Sequence, residues 1–335
     1  MNQPLRVVSI GGGTGLSSLL AGLKQFARPI GDAPPVDITA IVTVTDDGGS
    51  SGRLRREFDV LPPGDIRNCM VALSEDEGLL SRLFQYRFRA GRGLKGHSFG
   101  NLFLTALTGI TGDFPDAVKQ SCEVLKIAGR IFPSTATDVS LEAILADGSV
   151  VAGETRISRS KLPIRKIRIK PPRVRPLKEA LLAIEQADLI TLGPGSLFTS
   201  VIPNLLVAGV PKAIHDSRAL KAYFMNLMSQ PGETTDFRAS DHVLAIREHA
   251  GRKLVDCVVL SASPIPPSMR RRYAAQNAAP VENDIETLKS LGLEILSADL
   301  LQKSAKVRHN PSAIGVVTYT LAKLGRLRRQ DNQPF

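Results

Sequence analysis

Glycine-rich turns recur directly after short apolar strands, and this pattern restricts the chain more than any other feature. Val7-Val8-Ser9-Ile10 runs into Gly11-Gly12-Gly13-Thr14-Gly15. Ala40-Ile41-Val42-Thr43-Val44-Thr45 runs into Asp46-Asp47-Gly48-Gly49-Ser50-Ser51-Gly52, and Asp188-Leu189-Ile190-Thr191-Leu192 into Gly193-Pro194-Gly195-Ser196. Each turn sets bare backbone at the carboxyl end of a strand, beside the start of a helix. Open α/β sheets bind phosphorylated ligands there, because free N–H groups and the helix dipole converge. A nucleotide or nucleotide-sugar pocket is the leading reading.

The rest of the chain supports a doubly wound framework. Leu16, Leu19, Leu20, Leu23 and Phe26 mark one helical face after the first turn, and Asp37–Thr45 returns as a strand to complete a βαβ unit. Further helices are expected around Leu177–Ile184 and after Asn283-Asp284-Ile285-Glu286, read as a capping box, with Gly292 as the stop and Leu293–Leu296 as a late strand. Alternating helices and strands predict a three-layer α/β/α, Rossmann-like fold around a mostly parallel mixed sheet. Alternation at Val139–Ala143, the Asp147-Gly148 turn and Ile164, Ile167 and Ile169 predict an antiparallel insertion over about residues 131–172. One domain over residues 1–327 and a disordered tail over 328–335 complete the expected organisation.

Composition narrows the class. A hydrophobic share of 43% and a charged share of 22% belong to a globular chain with a sizeable core. No apolar run reaches the roughly 20 residues that cross a bilayer, and the N-terminus lacks the shape of a signal peptide, so a cytoplasmic location is expected. Cys69, Cys122 and Cys257 have neither disulfide parity nor zinc-ligand spacing. The net charge of +11 is local, concentrated between Arg156 and Lys178 and again from Lys323 to Arg329. Tryptophan is absent and aromatics make up 5%, which leaves bases few stacking platforms. Nucleic acid therefore ranks last among partners. The basic run reads first as the wet face of an edge strand, and next as a site for an acidic partner or an anionic surface.

The opening turn is neither a GxGxxG fingerprint nor a Walker loop, since its last spacing differs and no Lys-Ser or Lys-Thr follows. What remains is close backbone approach to an anion at Gly12, Gly13 and Thr14. Asp46 and Asp47 can hold Mg²⁺ or accept from ribose hydroxyls, with Ser51 beside them. Asn68 follows a Pro-Pro-Gly-Asp turn, His97 and Asn101 flank a helix start, and Gly193, Gly195 and Ser196 repeat the anion-turn logic. Asn226 and Thr234 add polar groups from a further loop. No nucleophile–base arrangement for covalent catalysis is visible.

Taken together, these segments resemble the gluconeogenesis-factor family of bacterial proteins, itself related to the 2-phospho-L-lactate transferases of deazaflavin cofactor synthesis. The resemblance rests on Gly11–Leu16, Thr45–Leu54, Leu61–Asn68, Gly96–Asn101, Gly193–Leu197 and Gln230–Thr234, and it extends over about residues 5–325. It implies UDP-N-acetylglucosamine as ligand and a regulatory role between gluconeogenic carbon flow, peptidoglycan precursors and cell shape. It further implies the amidotransferase that makes glucosamine-6-phosphate as partner, and no required cofactor. Tyr273, of the pair Arg272-Tyr273, and Arg308, of Arg308-His309, match the family residues implicated in holding the nucleotide sugar. Tyr can stack on uracil and Arg can clasp pyrophosphate. Where the family often has Asp after Arg-His, this chain has Asn310. The alternative implied by the related transferases is a Mg²⁺-dependent transfer from a nucleotide-diphosphate-linked donor, with Asp46 and Asp47 as metal and catalytic residues. The sequence leaves self-association open.

Overall fold

A computed structural model describes residues 3–29, 31–75 and 78–331. Its strands are β1 (Leu5–Gly11), β2 (Val36–Val42), β3 (Arg130–Pro133), β4 (Ser140–Leu145), β5 (Val150–Ala152), β6 (Ile164–Lys170), β7 (Leu189–Leu192), β8 (Leu220–Phe224), β9 (Cys257–Ser261) and β10 (Glu294–Ala298). Seven of them form one sheet in the order β10-β9-β8-β7-β1-β2-β3, and every pairing in it is parallel. Residues on both sides of β1, β2, β7 and β8 are buried, as helices covering both faces require. The antiparallel strands stand apart as a second sheet, β5-β4-β6. The expected α/β/α fold with an antiparallel insertion is therefore present, with the parallel and antiparallel pairings in separate sheets.

The strand order reverses at β1. The chain passes from β1 outward to β2 and β3, then returns to lay β7 on the other side of β1. This places a crevice between the carboxyl ends of β1 and β7, the position where open parallel sheets receive ligands. The helix Gly13–Leu23 starts at that crevice and packs against the long helix Pro311–Gln330. Among the described residues, no single helix is long and apolar enough to cross a membrane.

Several local expectations change. The insertion expected from residue 131 starts later, because Arg130–Pro133 is the edge strand of the main sheet, paired with β2. The tail expected from Arg328 begins as helix. Pro311–Gln330 continues through it, Arg328 lies 2.8 Å from Glu294, and Arg329 donates to the carbonyl of Gln186; residues 332–335 lie outside the described part. Asp284 does not cap its own helix Ile285–Ser290. Its carboxylate instead accepts from the Ser240 N–H at 2.9 Å and from the Ser240 hydroxyl at 2.5 Å, fastening the start of the helix Ala239–Ala250. Gly292 follows Ile285–Ser290 at φ 72°, the left-handed geometry of a helix stop.

Candidate functional site

The crevice is a cleft of about 540 Å³, within the range of small-molecule sites. One wall is the first glycine turn. Gly12 continues the extended backbone of β1, and Gly13 turns at φ 62° into the helix. The Leu16 N–H already bonds to the Gly12 carbonyl, so the Thr14 and Gly15 N–H groups are the open ones at this helix start. The opposite wall is the Gly193–Ser196 turn. The Gly195 N–H donates to Asn226 Oδ1 at 3.3 Å, and Gln230 Nε2 donates to Ser196 Oγ at 2.7 Å.

Two polar atoms in this cleft are buried without partners: the Asn226 amide nitrogen and the Gln230 amide oxygen. Orphaned buried polar groups are rare, and in a cleft they are open to whatever fills it. The Gly195 N–H sets the Asn226 amide so that its open atom is a donor, and with Gln230 Nε2 on the Ser196 hydroxyl the open Gln230 atom is an acceptor.

The far end is closed by Tyr273, on the helix Pro267–Ala274, and by the segment carrying Arg308. Tyr273 is half-buried against Met228, Ile265 and Ala278, and its hydroxyl accepts the Val307 N–H at 3.1 Å. Tyr273 thus fixes the backbone beside Arg308, while the exposed Arg308 side chain has no partner among the described residues. His309 is buried, bonds through Nε2 to the Met225 carbonyl at 3.1 Å, and is held neutral by burial, which brings its pKa down to about 4. Asn310 caps Pro311–Gln330 by accepting from the Ser312 and Ala313 N–H groups. That role needs only a side-chain oxygen, so Asn and Asp both serve it.

Carboxylates gather on the β2 side. Asp65 lies against Gly12, where a Cβ would come within 2.6 Å of Oδ2. Burial, then the charge of Asp46, pushes the Asp65 pKa up to about 6, opposed by a backbone bond from Gly13. Glu154 lines the cleft, and burial followed by the Asp46 and Asp65 charges raises it to about 9. Burial also raises Glu233, which accepts from the Thr199 and Ser158 hydroxyls at 3.1 Å each and from the Phe198 N–H at 3.3 Å. At neutral pH Glu154 therefore presents a proton rather than a charge to the cleft. Asp65, Glu154, Gln230 and Glu233 are not among the site residues that the sequence points to one by one. The first lay within a quoted motif and the last two within Gln230–Thr234, whereas Glu154 stood in the insertion, more than 100 residues from Thr45, to which it bonds at 3.5 Å.

A consequence of the Glu154 environment is measurable. The unfolded chain releases this proton near pH 4.5 and the folded one near 9, so between those values the folded state holds the extra proton and stability falls as pH rises. In Glu154→Gln, the denaturant midpoint is expected to drop less between pH 6 and pH 9 than in the parent. Equal drops would show that Glu154 is not the group responsible.

Of the residues expected from the sequence, Gly12, Gly13, Thr14, Gly195, Ser196, Asn226, Tyr273 and Arg308 line this cleft. The others stand behind it. Gly193 makes its bend at φ 70°, and Thr234 accepts the Gln230 N–H at 3.0 Å. Asp46 accepts the Gly48 N–H at 2.8 Å, while Asp47 takes both the N–H and the hydroxyl of Thr155, at 2.9 and 2.6 Å. Ser51 receives Asn101 Nδ2 at 3.4 Å, and Asn101 Oδ1 receives Arg67 Nε at 3.1 Å. Ser50 and His97 Nδ1 lie 3.0 Å apart, and Asn68 is half-buried on the helix Gly64–Leu73. These form a second polar cluster under the β2 loop. Asp46 and Asp47 serve different partners, and among the described residues no three His, Cys, Asp or Glu side chains converge as metal ligands.

A reversed parallel sheet with this two-glycine crevice defines a class, and the comparisons agree. The chain belongs to the 2-phospho-L-lactate transferase CofD family, whose model matches residues 7–301. Within it, the chain stands with the gluconeogenesis factors. It is 48% identical over 309 residues to the gluconeogenesis factor of Halalkalibacterium halodurans, covering 92% of this chain and 94% of that one. It is 44% identical over 324 residues to that of Bacillus subtilis, covering 96% and 100%. A crystal structure of a Bacillus halodurans protein has TM-score 0.90 and 46% identity, covering 94% of this chain and 99% of its own.

Proposed function

We propose that the cleft binds UDP-N-acetylglucosamine and that the chain is a cytoplasmic regulator tying gluconeogenic carbon flow to peptidoglycan precursor synthesis and cell shape. The observation that carries this reading is the pair of orphaned amide atoms, Asn226 Nδ2 and Gln230 Oε1, between the glycine turn and the unpaired Arg308. A donor and an acceptor in one cleft suit the edge of uracil or an acetamido group. The open N–H groups of Thr14 and Gly15, with the Arg308 guanidinium, suit a diphosphate. Glu154 kept neutral spares that diphosphate a nearby negative charge. The name shared by the relatives, gluconeogenesis factor, supports the metabolic half of the proposal. The amidotransferase that forms glucosamine-6-phosphate is the protein partner we propose, since a sensor of the end product acts usefully on the enzyme that commits carbon to it.

Titration calorimetry with UDP-N-acetylglucosamine, with and without Mg²⁺, followed by chromatography of the recovered ligand, tests the reading. Saturable binding with the nucleotide sugar returned intact is expected in both conditions. Absence of binding would remove the ligand assignment, and metal-dependent consumption would replace the regulator with a transferase.

A further inference from the structure

The excess positive charge of this chain has two sources, and the fold uses them differently. The C-terminal cluster is spent on structure: Arg326 grips the buried Asp188 at 2.6 Å and Arg328 lies on Glu294. The cluster in the insertion is not. In the β5-β4-β6 sheet, Val150, Ile144 and Lys166 stand abreast, as do Ala152, Glu142 and Arg168, with Ser140 opposite Lys170 in the next row. Side chains abreast in register share a face. Leu141, Ala143, Ile167 and Ile169 lie on the other face and are buried. The outer face therefore carries a column of cations at alternate positions of β6, beside the apolar Ile144 and the exposed Val150. Its single carboxylate, Glu142, is paired with Lys170 at 2.5 Å, whereas Lys166 and Arg168 have no carboxylate partner among the described residues.

We infer that this face docks the acidic surface of a partner protein and that docking responds to the cleft. The regulatory half of this inference rests on the nucleotide-sugar reading above. Two features favour a protein over other polyanions, and a third picks the face over the strand edge. No Phe, Tyr or Trp occurs between residues 134 and 178, so bases find nothing to stack on. Val150 and Ile144 are matched by apolar side chains of a protein interface but not by a phosphate backbone. The outer edge of β6 is already occupied at Ile167, whose N–H donates to His249 Nε2 at 3.0 Å, so it is the face that is offered and not a strand edge for pairing.

The link to the cleft is the short helix Glu154–Ile157 that directly follows β5. Asp47 holds its first turn through Thr155, and Thr45 bonds to Glu154. Glu233, which also fixes the 198–199 turn, holds Ser158. Glu154 and Ser158 themselves line the cleft. A ligand that displaces either side chain acts on a segment continuous with the docking sheet.

The test uses the full chain and fluorescence anisotropy with labelled poly-L-glutamate. A 20-nucleotide RNA and phosphatidylglycerol vesicles serve as competing polyanions. Poly-L-glutamate is expected to bind saturably and more tightly than either, and Lys166→Glu with Arg168→Glu should weaken it at least tenfold. The milder pair Lys166→Gln and Arg168→Gln should weaken it severalfold, and reversal at the exposed Arg89 and Arg92 should leave it within twofold. UDP-N-acetylglucosamine should shift the poly-L-glutamate affinity at least threefold. Tighter binding of RNA or vesicles, or equal losses on reversal at Arg89 and Arg92, would overturn the docking assignment. An unchanged affinity in the presence of a calorimetrically bound nucleotide sugar would overturn the link to the cleft. If calorimetry shows no nucleotide sugar bound, the cleft reading fails while the charge-reversal comparison still decides the docking face.

Discussion

Arg308→Ala is expected to weaken UDP-N-acetylglucosamine binding by about 10- to 100-fold while leaving the melting temperature within a degree or so of the parent. The binding loss follows from charge-assisted hydrogen bonds to phosphate, each worth about 1.5–3 kcal/mol when the partner group is lost. The unchanged stability follows from the fold. The Arg308 side chain is exposed and partnerless among the described residues, and only its backbone takes part, the carbonyl accepting the Gln302 N–H at 2.8 Å. Tyr273 does not separate the two effects so cleanly. It belongs to a small apolar cluster and holds the Val307 N–H, so its truncation disturbs the segment on which Arg308 rides. Calorimetry and thermal melting of Arg308→Ala check both halves. Normal affinity would remove Arg308 from the site, and a large fall in melting temperature would assign it a structural role.

The framework was legible because its signals are local. The apolar runs ending in Gly11 and Leu192, and the helical face Leu16–Phe26, each announce one element within a dozen residues. The crevice follows from the two glycine turns once β1 and β7 are neighbours. That adjacency joins residues about 180 positions apart and is a property of strand order, which periodicity does not carry. The same limit hid Glu154. A glutamate in an antiparallel insertion has nothing in its neighbourhood to mark it, until Thr45 and the Asp46 and Asp65 charges are brought to it. Asp46 and Asp47 show the same limit. Paired carboxylates after a strand read as a metal or ribose site, and only the fold adds that one also accepts the Gly48 N–H and the other the N–H and hydroxyl of Thr155. The boundary errors have equally plain causes. Arg130–Pro133 lies next to the insertion in sequence but pairs with β2, and Arg328 and Arg329 extend a helix because Glu294 and the Gln186 carbonyl lie within their reach.

Gly15→Ala should do to the site what Arg308→Ala does and destabilise the fold as well. Gly15 lies in the first turn of the helix Gly13–Leu23, where its backbone conformation suits any residue, so the glycine is required by space and not by dihedral angle. A Cβ there would stand 2.3 Å from the Pro194 carbonyl oxygen, 2.6 Å from its carbon and 2.9 Å from Gly195 Cα. All three are backbone atoms, which cannot rotate aside as a side-chain tip can. The two glycine turns must move apart. That breaks the register of Gly195 against Asn226 and shifts the helix start that supplies the open N–H groups. Overpacking of this kind costs about 1–3 kcal/mol, and nucleotide-sugar affinity should fall at least tenfold because both walls of the cleft move. Gly109→Ala supplies the contrast. Gly109 sits inside the helix Phe99–Thr111 with no atom within 4 Å of a new Cβ, so the same substitution there should stabilise by about 0.5–1 kcal/mol. Denaturant midpoints for the pair should therefore move in opposite directions. A Gly15→Ala protein with parental stability and affinity would mean that the two turns do not touch, and the cleft described between them would be wrong.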